Sequence, residues 1–136
     1  MQRNNFSWPV RVYYEDTDAG GIVYYANYLK YFERARTEWL RALGVEQDIW
    51  LRQHVAFVVT DVQMQNKRAA KFNEQLTVLS EISSLKRASL IFKQEIYNAL
   101  QQLVCSAEIK VACVDPQQLK ARSIPAEIIE VLTRVR

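Results

Sequence analysis

One stretch gathers the side chains best placed to do chemistry. In Tyr13-Tyr14-Glu15-Asp16-Thr17-Asp18-Ala19-Gly20-Gly21, two aspartates separated by one residue run into a glycine pair, and a helical pattern starts a little further on, at Asn27. A helix N-terminus presents N–H groups with no intrahelical partner and carries partial positive charge. A carboxylate facing such donors across a small gap makes a workable acyl-transfer site: the acid attacks a carbonyl or activates water, and a backbone N–H holds the developing oxyanion. The spacing fits equally well with two aspartates that only shape a turn, since Asp readily accepts a hydrogen bond from its own downstream backbone.

Other chemistries lack their residues. A nucleophilic triad needs a base, normally histidine, and the single histidine, His54, stands at the mouth of the strand-like run HVAFVV with no companion motif. It reads as a solvated strand-end residue. One His and two distant Cys do not make a zinc site. Glu15, Asp16 and Asp18 could begin a calcium loop, but Gly20, Gly21, Ile22 and Val23 supply none of the oxygens that must follow. Three glycines, two of them adjacent, form no phosphate cradle. Neither a metal nor a resident cofactor is expected.

The net charge of +3, with both signs scattered along the chain, is too small to imply nucleic-acid binding and permits an anionic small ligand. No apolar run approaches the ~18 residues of a membrane span, and MQRNNFSWPV has no apolar signal core. A cytoplasmic protein without membrane insertion is expected. Cys105 and Cys113 fall in one strand-like run, which would hold them roughly 26 Å apart at about 3.3 Å per residue, so they read as two buried free thiols.

The elements that must position the acidic stretch follow from periodicity. PVRVYYED sets Val10, Val12 and Tyr14 against Arg11, Tyr13 and Glu15, a half-buried strand. From Asn27, read as an N-cap, Tyr28, Phe32, Ala35, Trp39 and Leu43 recur at steps of three and four, and Gly44 supplies the stop. VAFVVTDVQMQ, EQLTVLSEISS, ASLIFKQEIYN and QLVCSAEIKVACVD are four β-prone runs whose short polar connections favour antiparallel neighbours. Pro125 opens a short amphipathic helix. With 136 residues and 49% hydrophobic content, the chain suits a single domain over 1–136. The expected class is α+β, an antiparallel five-stranded sheet wrapped around one long central helix, with its other face and edges left for subunit contacts.

VYYEDTDAGGIVYYANYLKYFERARTEWL resembles the signature of the 4-hydroxybenzoyl-CoA thioesterase family of hot-dog-fold enzymes, and most closely its Tol-Pal-associated acyl-CoA thioesterase branch, the YbgC type. VAFVV, SLIF, VACVDP and KARSIP fall in the order and spacing expected of that branch, so the resemblance covers nearly the whole chain. It implies a hot-dog fold, dimers paired into tetramers, and hydrolysis of acyl-CoA or acyl-carrier-protein thioesters, with coenzyme A as part of the substrate. Asp18 matches the family's catalytic carboxylate, Asp16 a motif residue without that role, the Tyr25 backbone N–H the donor that polarises the thioester carbonyl, and Tyr14 a tyrosine of the YbgC-type pocket. The branch commonly carries His at the position of Tyr25, so a side-chain acid or base is missing here. In NKRAAKFNE, Ala69 and Asn73 stand where the family usually has Pro and Asp.

On this reading the acyl group lies in an apolar slot beside Tyr14, Tyr24, Tyr28 and Phe57. Lys67, Arg68, Lys86, Arg87, Lys120 and Arg122 are candidates for a rim around the phosphates of CoA, although solvated loop charge explains each one singly. Glu33 is expected to form a structural ion pair with Arg36. The alternative function is a non-catalytic protein that binds acyl-CoA or acyl carrier protein, or that acts as a scaffold in an envelope system.

Overall fold

A computed structural model describes residues 4–136. The chain runs through β1 (Asn5–Arg11), a 3-10 turn (Tyr14–Asp16), α1 (Asn27–Ala42), α2 (Gln47–Leu51), β2 (Ala56–Asn66), β3 (Gln75–Leu85), β4 (Ser89–Tyr97), β5 (Leu103–Asp115), the two-residue β6 (Lys120–Ala121) and α3 (Ala126–Val135). The strands form one sheet in the order β1-β3-β4-β5-β2, with β6 added to β5, and every pairing is antiparallel.

Alternation decides which sheet face turns inward: Leu76, Val78, Ser80 and Ile82 of β3 and Leu90, Phe92, Gln94 and Ile96 of β4 are buried, while the residues that alternate with them are wholly or partly exposed. Against that face lies α1, which buries Tyr28, Tyr31, Phe32, Ala35, Trp39 and Leu40 along one stripe. Register shifts between Val59 and Asp61 in β2 and between Ile82 and Ser84 in β3 bend the sheet around the helix. Gly44, at φ +90, takes the left-handed conformation that ends the helical segment. The result is the α+β hot-dog arrangement expected from the sequence, with α2 and β6 as additions.

The structure differs from the sequence reading at three places that bear on the site. β1 stops at Arg11, and Tyr14 is turned outward instead of continuing the strand. The cause is local: the Asp16 carboxylate accepts the Tyr13 N–H at 2.8 Å, and the chain winds into a 3-10 turn. Asn27 does not cap α1 with its side chain; it is the first helical residue, and its amide donates to Asp16. Finally, β2 and β3 are not neighbours, because the connection at 67–74 crosses from one side of the sheet to the other. That loop is pinned on the way: Ala70 O accepts the Val23 N–H at 2.8 Å, the Ala70 N–H reaches the Tyr28 hydroxyl at 3.2 Å, and the Phe72 N–H reaches Gly21 O at 3.0 Å.

Candidate active site

Residues 16 to 24 form a narrow hairpin between the two aspartates and the start of α1. Its rungs are Tyr24 N–H to Asp16 O at 3.1 Å, a bridge between Thr17 and Val23, and Asp18 N–H to Ile22 O at 3.0 Å. Gly21 closes the tip at φ +78, where a side chain would be strained, and its N–H reaches Asp18 O at 3.0 Å.

The two aspartates have opposite environments. Asp16 is buried, and its carboxylate accepts from the Tyr13 N–H at 2.8 Å and from the Asn27 amide at 3.2 Å. It ties strand end, hairpin and helix start together. Tyr31 lies beneath it with a buried hydroxyl that has no partner of hydrogen-bond geometry among the described residues. Burial and, after it, the nearby Asp16 carboxylate raise the Tyr31 pKa well above the ordinary tyrosine value. Asp18, in contrast, is exposed at the hairpin tip, where one carboxylate oxygen accepts the Gly20 N–H at 2.9 Å.

The helix start follows directly on this hairpin. Its first turn is tight, with Asn27, Tyr28 and Leu29 donating to Tyr24 O, Tyr25 O and Ala26 O. Among the described residues no acceptor is found for the Tyr25 or Ala26 N–H. An exposed carboxylate and two open backbone donors, joined by one short hairpin, are the parts an acyl-transfer site requires.

Other sequence candidates are dispersed. Tyr14 is 78% exposed and meets Phe72 edge-on at 5.8 Å, and Tyr24 tilts against Tyr25 at 5.2 Å. Tyr28 is buried with its hydroxyl engaged by Ala70, so it is a core residue that reaches the groove beside Lys67 and Arg68 only at its floor. Phe57 stands at the opposite end of β2, paired with Cys113. Within one chain, Tyr14, Tyr24, Tyr28 and Phe57 therefore do not line a common slot.

The cations split in the same way. Lys67 and Arg68 border the groove lined by Tyr25, Tyr28 and Asn66, beside the open N–H groups. Lys86, Arg87, Lys120 and Arg122 collect at the far end of the sheet. There Arg87 Nη1 donates to Ser123 Oγ at 2.6 Å, Arg122 Nη1 donates to His54 O at 3.0 Å, and Lys120 sits on β6. His54 itself is exposed at φ 63 just before β2. Glu33 does not pair with Arg36; its carboxylate accepts from the Thr37 hydroxyl at 2.7 Å. Among the described residues, no three His, Cys, Asp or Glu side chains gather as metal ligands.

A second feature was missed in the sequence. Arg36, Gln94 and Ser80 are polar residues at core positions of three different elements, and they meet: Gln94 Oε1 accepts from Arg36 Nη1 at 3.0 Å, and Gln94 Nε2 donates to Ser80 Oγ at 2.8 Å and to Phe32 O at 3.1 Å. The signal was available, since Gln94 and Ser80 fall in step with Leu90, Phe92, Ile96 and Leu76, Val78, Ile82. Arg36 also borders a cavity of about 150 Å³ whose wall is apolar at Leu40, Phe57, Leu90, Phe92 and Leu132 and polar at Glu33, Thr37 and Gln47.

The pattern of the thioesterase-like superfamily matches residues 12–132. The chain belongs to that family. It is 48% identical over 130 residues to the acyl-CoA thioesterase YbgC of Haemophilus influenzae, covering 94% of each chain. It is 45% identical over 129 residues to the acyl-CoA thioester hydrolase YbgC of Escherichia coli, covering 95% of this chain and 96% of that one. A solved DHNA-CoA thioesterase from Staphylococcus aureus superposes with a TM-score of 0.92 over 96% of this chain and 90% of its own, at 22% identity, which shows the shared fold.

Proposed function

We propose that this protein is an acyl-CoA thioester hydrolase, a single hot-dog unit over 1–136 that needs no cofactor beyond the coenzyme A of its substrate. The observation that carries the reading is the exposed Asp18 carboxylate on the same hairpin that leads to the unpartnered Tyr25 N–H. The thioester carbonyl oxygen takes the Tyr25 N–H, and Asp18 either attacks the carbonyl carbon or removes a proton from the attacking water. The C–S bond breaks, CoA leaves as a thiol, and the acyl group leaves as a carboxylic acid, directly or after water opens an anhydride with Asp18. Tyr25 contributes its backbone and not its side chain, so the absence of histidine there leaves the chemistry intact. Tyr14 and Tyr24 supply aromatic surface beside the reacting group.

Lys67 and Arg68 border the same groove and suit the phosphates of CoA or of a carrier-protein arm. The remaining cations and Phe57 serve the site through a second copy of the chain. β2 is an edge strand with Val58, Val59 and Val62 exposed, and pairing it antiparallel with itself would carry the start of one β2 toward the end of the other. Phe57 and the cluster of Lys86, Arg87, Lys120 and Arg122 would then approach the partner's groove. Two such dimers form the homotetramer. No described helix is long and apolar enough to cross a membrane, which agrees with a cytoplasmic enzyme of the Tol-Pal-associated branch.

The test is release of free thiol from short aliphatic, long aliphatic and aromatic acyl-CoAs by the purified protein. Steady turnover on at least one class is expected. Binding of every acyl-CoA without turnover would instead establish a binding protein.

A further inference from the structure

The cavity beside Arg36 has features that the proposed reaction does not use. It measures about 150 Å³, close to the volume that holds a benzene-sized guest in other protein interiors. Most of its wall is apolar, yet a guanidinium borders it. Arg36 is only 8% exposed, stays charged at any ordinary pH, and has no carboxylate within ion-pair distance among the described residues. It meets a neutral amide, Gln94, and the face of Phe92 at 5.8 Å. Glu33, one turn back on the helix, borders the same cavity and its charge acts on Arg36, but its carboxylate is exposed and bonded to Thr37.

A charge held in the interior without an ion partner is costly, and burial lowers the Arg36 pKa accordingly. The fold nonetheless commits two further buried polar residues to it. Gln94 is fixed by Ser80 and by Phe32 O, so the guanidinium is aimed and not merely tolerated. Of its five donors, the bond to Gln94 uses one, and no guanidinium nitrogen is both buried and unpartnered, so the remaining donors are open to solvent or the cavity.

We propose that this cavity is a binding site for the carboxylate of a small organic acid, up to one aromatic ring in size, with Arg36 as the anion receptor and Gln94 as the residue that positions it. The acid is compact because the cavity is, and anionic because no carboxylate among the described residues, Glu33 at the cavity wall included, reaches ion-pair distance of the guanidinium. A planar carboxylate can take two parallel N–H donors of the guanidinium. The inference rests on the hydrolase reading only for the source of the acid. Thioester hydrolysis releases a carboxylate as its acyl product, and an acyl group still attached to CoA can also carry one at its far end.

The first arm of the test needs no variant. Butyrate and benzoate are titrated into the wild-type protein beside butyramide and benzamide, with methyl NMR of Leu90 and Leu132 reporting the site. The acids are expected to bind at least about tenfold more tightly than the amides and to shift those methyl signals. Equal affinity for acid and amide, or shifts confined to other surfaces, would overturn the proposal. Arg36→Met should abolish the discrimination; if it fails to fold, Arg36→Lys, which keeps charge but not the fork, should weaken it.

The second arm compares succinyl-CoA with butyryl-CoA as substrates. A preference of about tenfold for succinyl-CoA that disappears in the Arg36 variant assigns the site to a carboxylate at the far end of the acyl group. Equal kcat/KM for the two, with acid binding retained, assigns it to the released product. Failure to turn over either thioester, with acid binding intact, would count against the hydrolase reading and leave the carboxylate site standing.

Discussion

The two halves of α1 solve opposite problems with the same kind of material. At its N-terminal end the chain leaves polar groups open: Asp18 is exposed, and the Tyr25 and Ala26 N–H groups have no partner among the described residues. Toward its C-terminal end the chain closes polar groups in, with Arg36, Gln94 and Ser80 buried and joined to one another. Open donors and an exposed acid remain available to a ligand, whereas a closed network fixes one charged group in a single pose. Asp16 stands between these extremes. It lies one residue from Asp18 on the chain but has the environment of the buried network.

That contrast can be broken at several points. The largest effect is expected from Tyr25→Pro, which removes the open N–H while sitting just before a helix, where proline is tolerated. Loss of one oxyanion donor should lower kcat by about 10²–10³-fold. Stability should hardly change, because that N–H has no partner to lose. Tyr25→Ala, which keeps the donor, should leave kcat within about tenfold of wild type. A collapse of activity in the alanine variant would mean that the side chain, and not the backbone, does the work.

At the other end of α1, Gln94→Leu leaves both Arg36 and Ser80 without their shared partner and should cost about 2–3 kcal/mol in urea unfolding. The loss should come without a direct effect on the chemistry at Asp18. A neutral result would mean that the network relaxes onto water.

A smaller effect concerns pH. Burial pushes the Cys105 thiol from its ordinary 9.0 up to about 12. The unfolded chain therefore ionises first, and the contribution of Cys105 to stability is complete below about pH 9 and is lost as the pH climbs toward 12. Urea midpoints between pH 8 and 11 should fall for the wild type and fall less for Cys105→Ala. Identical slopes would show that other groups, such as the raised Tyr28 and Tyr31, dominate this range.

Periodicity made the fold legible where one rule acted alone. The stripe from Tyr28 to Trp39 and the alternation in β3, β4 and β5 were visible because burial on one face repeats at a fixed step. The rule failed where a side chain competes with the backbone. Val10 and Val12 continue an alternating pattern, but the Asp16 carboxylate takes the Tyr13 N–H and ends the strand regularity. It also failed over distance: nothing in NKRAAKFN says that β2 will leave β3 for the far edge, because that choice is made by bonds to Gly21, Val23 and Tyr28.

For the candidate site, the sequence shows residue types and spacing but not which side chains come together. Asp18 is exposed and the Tyr25 N–H lacks an acceptor among the described residues, whereas the expected slot does not form within one chain, since Tyr28 turns inward and Phe57 lies at the other end of β2. The buried arginine was hidden because its stripe position looks like any other charged residue of an amphipathic helix.

The most direct test sets Asp16→Asn beside Asp18→Asn and measures kcat and unfolding free energy for both. Asp18→Asn should lower kcat by about 10²–10⁴-fold with stability nearly unchanged, while Asp16→Asn should cost about 2 kcal/mol, with the folded fraction keeping most of its turnover. The reverse pattern, with chemistry lost at Asp16 in a stable protein and kept at Asp18, would contradict the account.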